Sequence, residues 1–338
     1  MPHKAVAPPS GISSNLTVTE TLDRISQLPD LLLVEILSLL PTKDAFTTCI
    51  LSKRWRYLWT SIHNFSFTCR NYRENFAPFV DYVLAHSVSS KIKKFELDYS
   101  QEFKYYSQLS QWLIFAVKRK AEDAVLWSSP FIKTCALPES FYTCSTLITL
   151  ALGRFNFDNV VIAWKSLKSI KLGNLFLDND IIAKLLSGCP ALETMELYDL
   201  VLLKGPRRLE IKSSNLKRLK LNGHWLINDG SFRSLEIFAP YIQHLKISGD
   251  FYDLKCVLVD VSAVITSNLT FNITCIKDIQ DGGQEFDPEE DSCRDYHQFF
   301  RTLVHHYILC FCFASELPIG TWFTEVCFYL RVLFFVCF

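Results

Sequence analysis

One six-residue pattern recurs along most of the chain, with apolar side chains at its first, fourth and sixth positions, termed a, a+3 and a+5. It reads IKKFEL from Ile92, LITLAL from Leu147, LKSIKL from Leu167, LETMEL from Leu192, LKRLKL from Leu216 and IQHLKI from Ile242. Weaker copies are AEDAVL from Ala121 and TSNLTF from Thr266, which brings the spacings between starts to 29, 26, 20, 25, 24, 26 and 24 residues. Side chains alternate across a strand, so a+3 and a+5 share one side while a+2, a+4 and a+6 share the other. A chain of this kind is confined to stacking short strands side by side, one face in a continuous core and the other lining a concave surface.

A different pattern precedes the repeats. The run DRISQLPDLLLVEILSLLPTKDAFTTCILSKRWRYLWTSI from Asp23 is punctuated as three short helices. Pro29 suits a first helical turn and Asp30 its positive end, which predicts a helix to about Leu40, where Pro41 stops it. Thr42 is positioned to cap a second helix through about Leu51, and Ser52 a third that carries Trp55, Leu58 and Trp59 on one face. The first helix is apolar at Leu31, Leu32, Leu33, Val34, Ile36, Leu37, Leu39 and Leu40. That is more than one stripe, and a module of about forty residues cannot bury it all. The surplus predicts a partner surface.

The LPD run, the segment ILSLLPTKDA and the segment LSKRWRYLW resemble an F-box of the plant type. The stretches LPESFYTCSTLITLAL, LLSGCPALETMELYDL, IKSSNLKRLKLNG and IFAPYIQHLKISGDF resemble the leucine-rich region of plant F-box/LRR proteins, many of which end in an FBD domain, and the spacing is that of a leucine-rich repeat. The resemblance implies an α+β fold, a small all-α F-box module followed by an α/β leucine-rich-repeat solenoid with irregular returns. It also implies a non-catalytic role. The F-box docks a Skp-type adaptor and through it a cullin-RING ubiquitin ligase, and the repeats hold a protein target for ubiquitination. The family's adaptor-contacting positions fall on Leu28, Pro29, Ile36, Leu37, Leu40, Pro41, Trp55 and Trp59, for each of which internal packing of the three helices is the competing role. The alternative is a leucine-rich-repeat scaffold without a ubiquitin-ligase role, or a truncated member that has lost function.

Among the outward positions of the later copies, Lys171, Arg218, Lys220 and Lys246 surround Glu196, with His244 beside them. A basic patch of this kind predicts capture of an acidic or phosphorylated segment. The competing reading is a charged face that only keeps the strands soluble. Of the returns between strands, one reads as a helix from about Asp180, closed by Gly188 in a left-handed cap with Pro190 just beyond. The others lack helical signatures and are expected to be irregular loops.

The rest of the sequence bounds the possibilities. Thirty-five basic and 35 acidic residues cancel, which leaves no global field for nucleic acid or an anionic membrane. No Gly-rich phosphate loop, G-x-S-x-G elbow or H-E-x-x-H pair occurs, and none of the 12 cysteines forms a C-x-x-C pair, so no catalytic residue, cofactor or metal is expected. Residues 1–22 read as a flexible tail without the apolar run of a secretory signal, which places the protein inside the cell, in cytoplasm or nucleus. The F-box is then bounded at 23–62 and the repeats at 63–275. Residues 276–302 read as an acidic linker and the start of an FBD-like region. Residues 303–338 are apolar and depart from the repeat pattern. Their apolar runs are broken by charges and Pro318 before reaching the roughly 20 residues of a membrane span, so they read as an altered C-terminus with no membrane partner.

Overall fold

A computed structural model describes residues 24–69, 75–98, 106–127, 137–199, 201–202, 208–224, 226–227, 233–250, 254–272 and 306–320, apart from positions 26, 156, 158, 308, 312 and 313. It begins with α1 (Asp30–Ser38) and α2 (Thr42–Thr47), followed by tighter 3-10 turns at Thr48–Ile50 and Trp55–Ser61. Pro29 precedes α1 as expected, and Arg54 holds the entrance to the helix by pairing with Asp30 at 2.6 Å. Thr42 does not cap α2. Its fully buried hydroxyl instead accepts a hydrogen bond from the Ser66 amide at 2.8 Å, across to the first strand.

That strand, β1 (Asn64–Thr68), opens a nine-stranded parallel sheet. Its further members are β2 (Lys94–Asp98), β3 (Asp123–Trp127), β4 (Thr149–Gly153), β5 (Ser169–Gly173), β7 (Thr194–Tyr198), β10 (Arg218–His224), β13 (His244–Asp250) and β15 (Thr266–Asn272), paired in this order. The a+3 and a+5 side chains point into one core that is continuous with the helices, from Leu33 and Leu37 of α1 to Ile247 and Leu269.

Pairing register revises the repeat in three places. Ile62, Phe65 and Phe67 are buried and in frame with β2, so a copy precedes Ile92 and the repeat begins inside the segment bounded as F-box. Thr266 pairs with His244, so the last copy starts at Val264 rather than Thr266. Its a+3 position is the buried Ser267, a polar residue in an apolar slot, and this shifts an apolar count two residues along. The third revision concerns the C-terminal segment. Residues 315–320 run parallel to β15, with Ser315, Ser267, Leu269 and Gly320 amides bonded across at 2.8 to 2.9 Å. Ala314, Leu317 and Ile319 take the three apolar positions and pack on the core. Part of the 303–338 tail is therefore one more copy of the repeat, not a departure from it.

Each strand must then turn. Arg154, Asn174, Asp199, Gly223 and Gly249 all occupy the position after a+6, and all five have positive φ. A left-handed residue there directly follows the last residue of β4, β5 and β7, whereas Gly223 and Gly249 are followed by one more paired residue of β10 and β13; Asn, Asp and Gly tolerate the conformation best. The amides of Arg154, Asn174 and Asp199 donate to the carbonyls of Gly173, Tyr198 and Asn222 on the next strand, so the turns are laddered.

The returns are more regular than expected. Helices α3 (Phe76–His86), α4 (Tyr106–Lys118), α5 (Glu139–Tyr142) and α6 (Asn179–Gly188) serve the earlier copies. In the later ones β6 (Phe176–Leu177), β8 (Val201–Leu202) and β11 (Leu226–Ile227) form one small parallel sheet. The strands β9 (Arg208–Lys212), β12 (Arg233–Phe238) and β14 (Leu254–Asp260) form another. Asp178 caps α6 by accepting from the Ile181 amide. Gly188 is not a left-handed cap, since it lies within the helix; a Cβ there would strike the Ile162 backbone, so close approach selects the glycine. No helix among the described residues is long and apolar enough to cross a membrane.

Candidate functional site

Helix α1 divides its apolar residues between two faces. Leu33 and Leu37 are buried in the core, whereas Leu32, Ile36, Leu39 and Leu40 follow helical spacing along an exposed stripe. Leu31, Ile50, Leu51 and Tyr57 are exposed in the same module. These side chains make the helical module the part of the chain with the most exposed large apolar residues among those described. Of the eight positions predicted to meet an adaptor, Pro29, Ile36, Leu40 and Pro41 are exposed and Leu28 is half-buried. Leu37, Trp55 and Trp59 are corrected to internal packing, because their side chains are at least 94% removed from solvent. Trp59 meets Phe46 edge-on at 5.0 Å and stacks on Tyr82 of α3 at 6.1 Å, so it joins the module to the sheet's first return. Residues 31, 32, 39, 50, 51 and 57 lie outside the predicted contact set, although the second apolar stripe on α1 is a sequence signal for Leu32 and Leu39.

At the joint between helices and sheet, His63 lies 3.4 Å from Glu35 and 3.3 Å from the Ser38 hydroxyl. Burial lowers its pKa, with Glu35 opposing and Lys93 adding to the shift. A cavity of about 510 Å³ opens beside it, with Lys91 and Glu122 on its wall paired to each other at 2.5 Å.

The second surface is the open face of the sheet. Register places Ala151, Lys171, Glu196, Lys220, Lys246 and Asn268 in one row across successive strands. Arg218 and His244 are neighbours in the row before it. The six predicted target-binding residues thus come together. Glu196 is bracketed by Lys220 at 2.5 Å and Lys171 at 3.9 Å, and His244 Nδ1 lies 2.7 Å from the Thr266 hydroxyl. Lys220 and Lys246 stand side by side on β10 and β13, an arrangement that is unfavourable in isolation. Arg218 and Lys246 have no carboxylate partner among the described residues.

Beyond these charges the face carries an aromatic platform that no single copy of the repeat reveals. Trp127 and Tyr198 lie 5.8 Å apart and lean over Gly153 and Gly173, where any Cβ would collide with their rings. Lys171 Nζ sits 5.3 Å from the Tyr198 ring and 5.9 Å from that of Trp127, within cation–π range. Burial, then Asp199 and Glu196, raise the Tyr198 pKa, so the phenol stays a neutral donor, and its oxygen is buried without a partner among the described residues. The row Trp-Gly-Gly-Tyr is legible only once the copies are aligned. Elsewhere, burial pushes the Cys189 and Cys256 thiols up to about 12, which keeps them from acting as thiolate nucleophiles at neutral pH.

Two family profiles match the chain. A profile of the F-box domain matches residues 25–67, and the profile described as "FBD-associated F-box protein At5g56370, LRR repeats" matches residues 109–260. F-box/LRR-repeat protein At3g26922 of Arabidopsis thaliana is 31% identical over 75% of this chain and 88% of its own length. F-box protein At5g03100 of the same plant is 31% identical over 73% of this chain and 76% of its length. F-box/FBD/LRR-repeat protein At2g26030 is 29% identical over 83% of this chain and 65% of its length. The chain thus belongs to the F-box/LRR-repeat family. It spans 54–65% of the length of several longer relatives, and no solved structure matches it. None of these relatives bears an enzyme's name.

Proposed function

We propose that the chain is the substrate-recognition subunit of a Skp-cullin-F-box ubiquitin ligase, with its helices docked on a Skp-type adaptor and its repeats, stacked as a solenoid, holding the target. The observation that carries this reading is the exposed stripe of Leu32, Ile36, Leu39 and Leu40 on a module that buries Leu33 and Leu37. A self-sufficient bundle would not leave that stripe to water. The hydrogen bond from Ser66 to Thr42 and the shared core give the docked helices a fixed bearing on the sheet. A receptor of this design does no chemistry itself and acts by raising the effective concentration of a target beside the transfer machinery. Free thiols at Cys49, Cys144, Cys189 and Cys256 suit a reducing cytoplasm or nucleus.

Pulldown with a purified Skp-type adaptor tests the reading. Wild type is expected to bind, and Leu32→Asp/Ile36→Asp to lose binding while keeping its unfolding midpoint, since both positions face solvent. Leu28→Ala/Pro29→Ala is expected to weaken binding less. No capture by wild type would return the chain to the scaffold alternative.

A further inference from the structure

The outward rows of the sheet are divided by charge along their length. On β2 and β3 the outward charges are Lys94 against Glu96, Asp98 and Asp123, an acidic excess. From β5 to β13 they are Lys171, Arg218, Lys220 and Lys246 against Glu196, a basic excess. Between them the face is uncharged at Val125, Trp127, Ala151 and Gly153, where the aromatic platform lies. We propose that this face takes a single protein segment of split charge, its acidic end over β7, β10 and β13, its basic end over β2 and β3, and a bulky apolar side chain between them against Trp127 and Tyr198.

Charge complementarity decides the occupant. A wholly acidic segment would be repelled by Glu96, Asp98 and Asp123, and a wholly basic one by Lys220 and Lys246, whereas a split segment meets opposite charge at both ends. Lys246, which has no carboxylate partner among the described residues and stands beside the Glu196-paired Lys220, is satisfied by an incoming carboxylate. The distance suits a short peptide. Six strand spacings of about 4.8 Å separate β2 from β13, roughly 29 Å, the reach of about nine extended residues. The basic end lies nearest the F-box helices, which are joined to β1. This inference rests on the repeat face being the target site, and it adds the target's polarity and direction.

The test is selection of random 16-residue peptides displayed against the full-length chain, followed by anisotropy measurements on synthetic copies. Enriched peptides are expected to be acidic toward one end, basic toward the other and apolar between. Lys220→Glu/Lys246→Glu is expected to weaken them about tenfold or more, as is Glu96→Lys/Asp98→Lys, while the combined reversal, whose face is again split, regains part of the loss. Trp127→Ala weakens binding without altering the preferred charge pattern. Absence of enrichment, enrichment of uniformly charged peptides, or indifference to both reversals would overturn the proposal. Adaptor pulldown on the same protein separates the two readings. Capture of the adaptor without split-charge peptides defeats only this inference, and loss of adaptor capture defeats only the ligase role.

Discussion

The two edges of the long sheet are closed in contrasting ways. At the first edge, β1 is covered by helices that precede it directly, with Thr42 accepting from Ser66 and Asn64 donating to the Ser38 carbonyl at 3.0 Å. At the other edge, β15 is covered by residues 315–320, which follow it only after some forty residues of intervening chain. The same distant segment also serves the outer sheet. The Tyr307 hydroxyl and His306 Nε2 donate to the Cys256 and Leu258 carbonyls of β14, and Tyr307 and Phe311 are buried against it. Open strand edges invite pairing with other chains, so a repeat array needs a seal at each end. Here one seal is the F-box module and the other is a short tail that reads as surplus.

The largest effect should come from removing the distal seal. A chain ended after residue 302 loses the burial of Tyr307 and Phe311, worth about 3–6 kcal/mol, and bares the β15 edge of the long sheet. Its urea midpoint is expected to fall sharply and light scattering to rise. A soluble truncated chain of unchanged midpoint would show that this edge needs no cover. Thr42→Val tests the proximal seal. The isosteric change leaves the part-buried Ser66 amide without its acceptor and should cost about 1–3 kcal/mol by urea unfolding. Tyr307→Phe is the matching change at the far seal, where the donor to the Cys256 carbonyl is lost, and about 1 kcal/mol is expected. If the two point changes rank in the opposite order, the tail is the more tightly held of the two seals.

The smallest effect concerns His63 at the proximal joint. Its pKa is lowered in the folded state by burial, so the unfolded chain binds the proton more readily. The contribution of neutral His63 is therefore complete above the ordinary histidine value of 6.5 and declines as pH falls through the lowered folded value. Urea midpoints measured from pH 8 to pH 5 should fall more for wild type than for His63→Gln. Parallel curves would remove His63 from the account.

The strands of the repeat are legible because alternation is local. Leu150 and Leu152, or Leu219 and Leu221, need no distant partner to declare which side faces the core. Where a copy breaks the apolar rule, the frame is lost for physical reasons. Ser267 sits in a buried slot and displaces the count, and Ile62 ends a helically punctuated stretch, so the boundary at 62 parts it from Phe65 and Phe67 of its own copy. The turning position is partly legible in Asn174, Asp199, Gly223 and Gly249, and Arg154 joins them only through its observed left-handed backbone. On the open face the outward charges of every copy follow from the repeat frame, but the meeting of Trp127 with Tyr198 over Gly153 and Gly173 emerges only with the strands in register.

By itself, then, the sequence determined the repeat, the sidedness of its strands and the presence of an apolar surplus on the helical module, because each depends on periodicities of two or 3.6 residues within one element. Tertiary structure alone decided which leucines of α1 turn inward, since a helix that is apolar on two stripes carries no local preference between them. It also decided that Trp55 and Trp59 belong to the core and that the tail closes the array. Those outcomes depend on hydrogen bonds and packing between residues far apart in the chain, for which no local pattern exists.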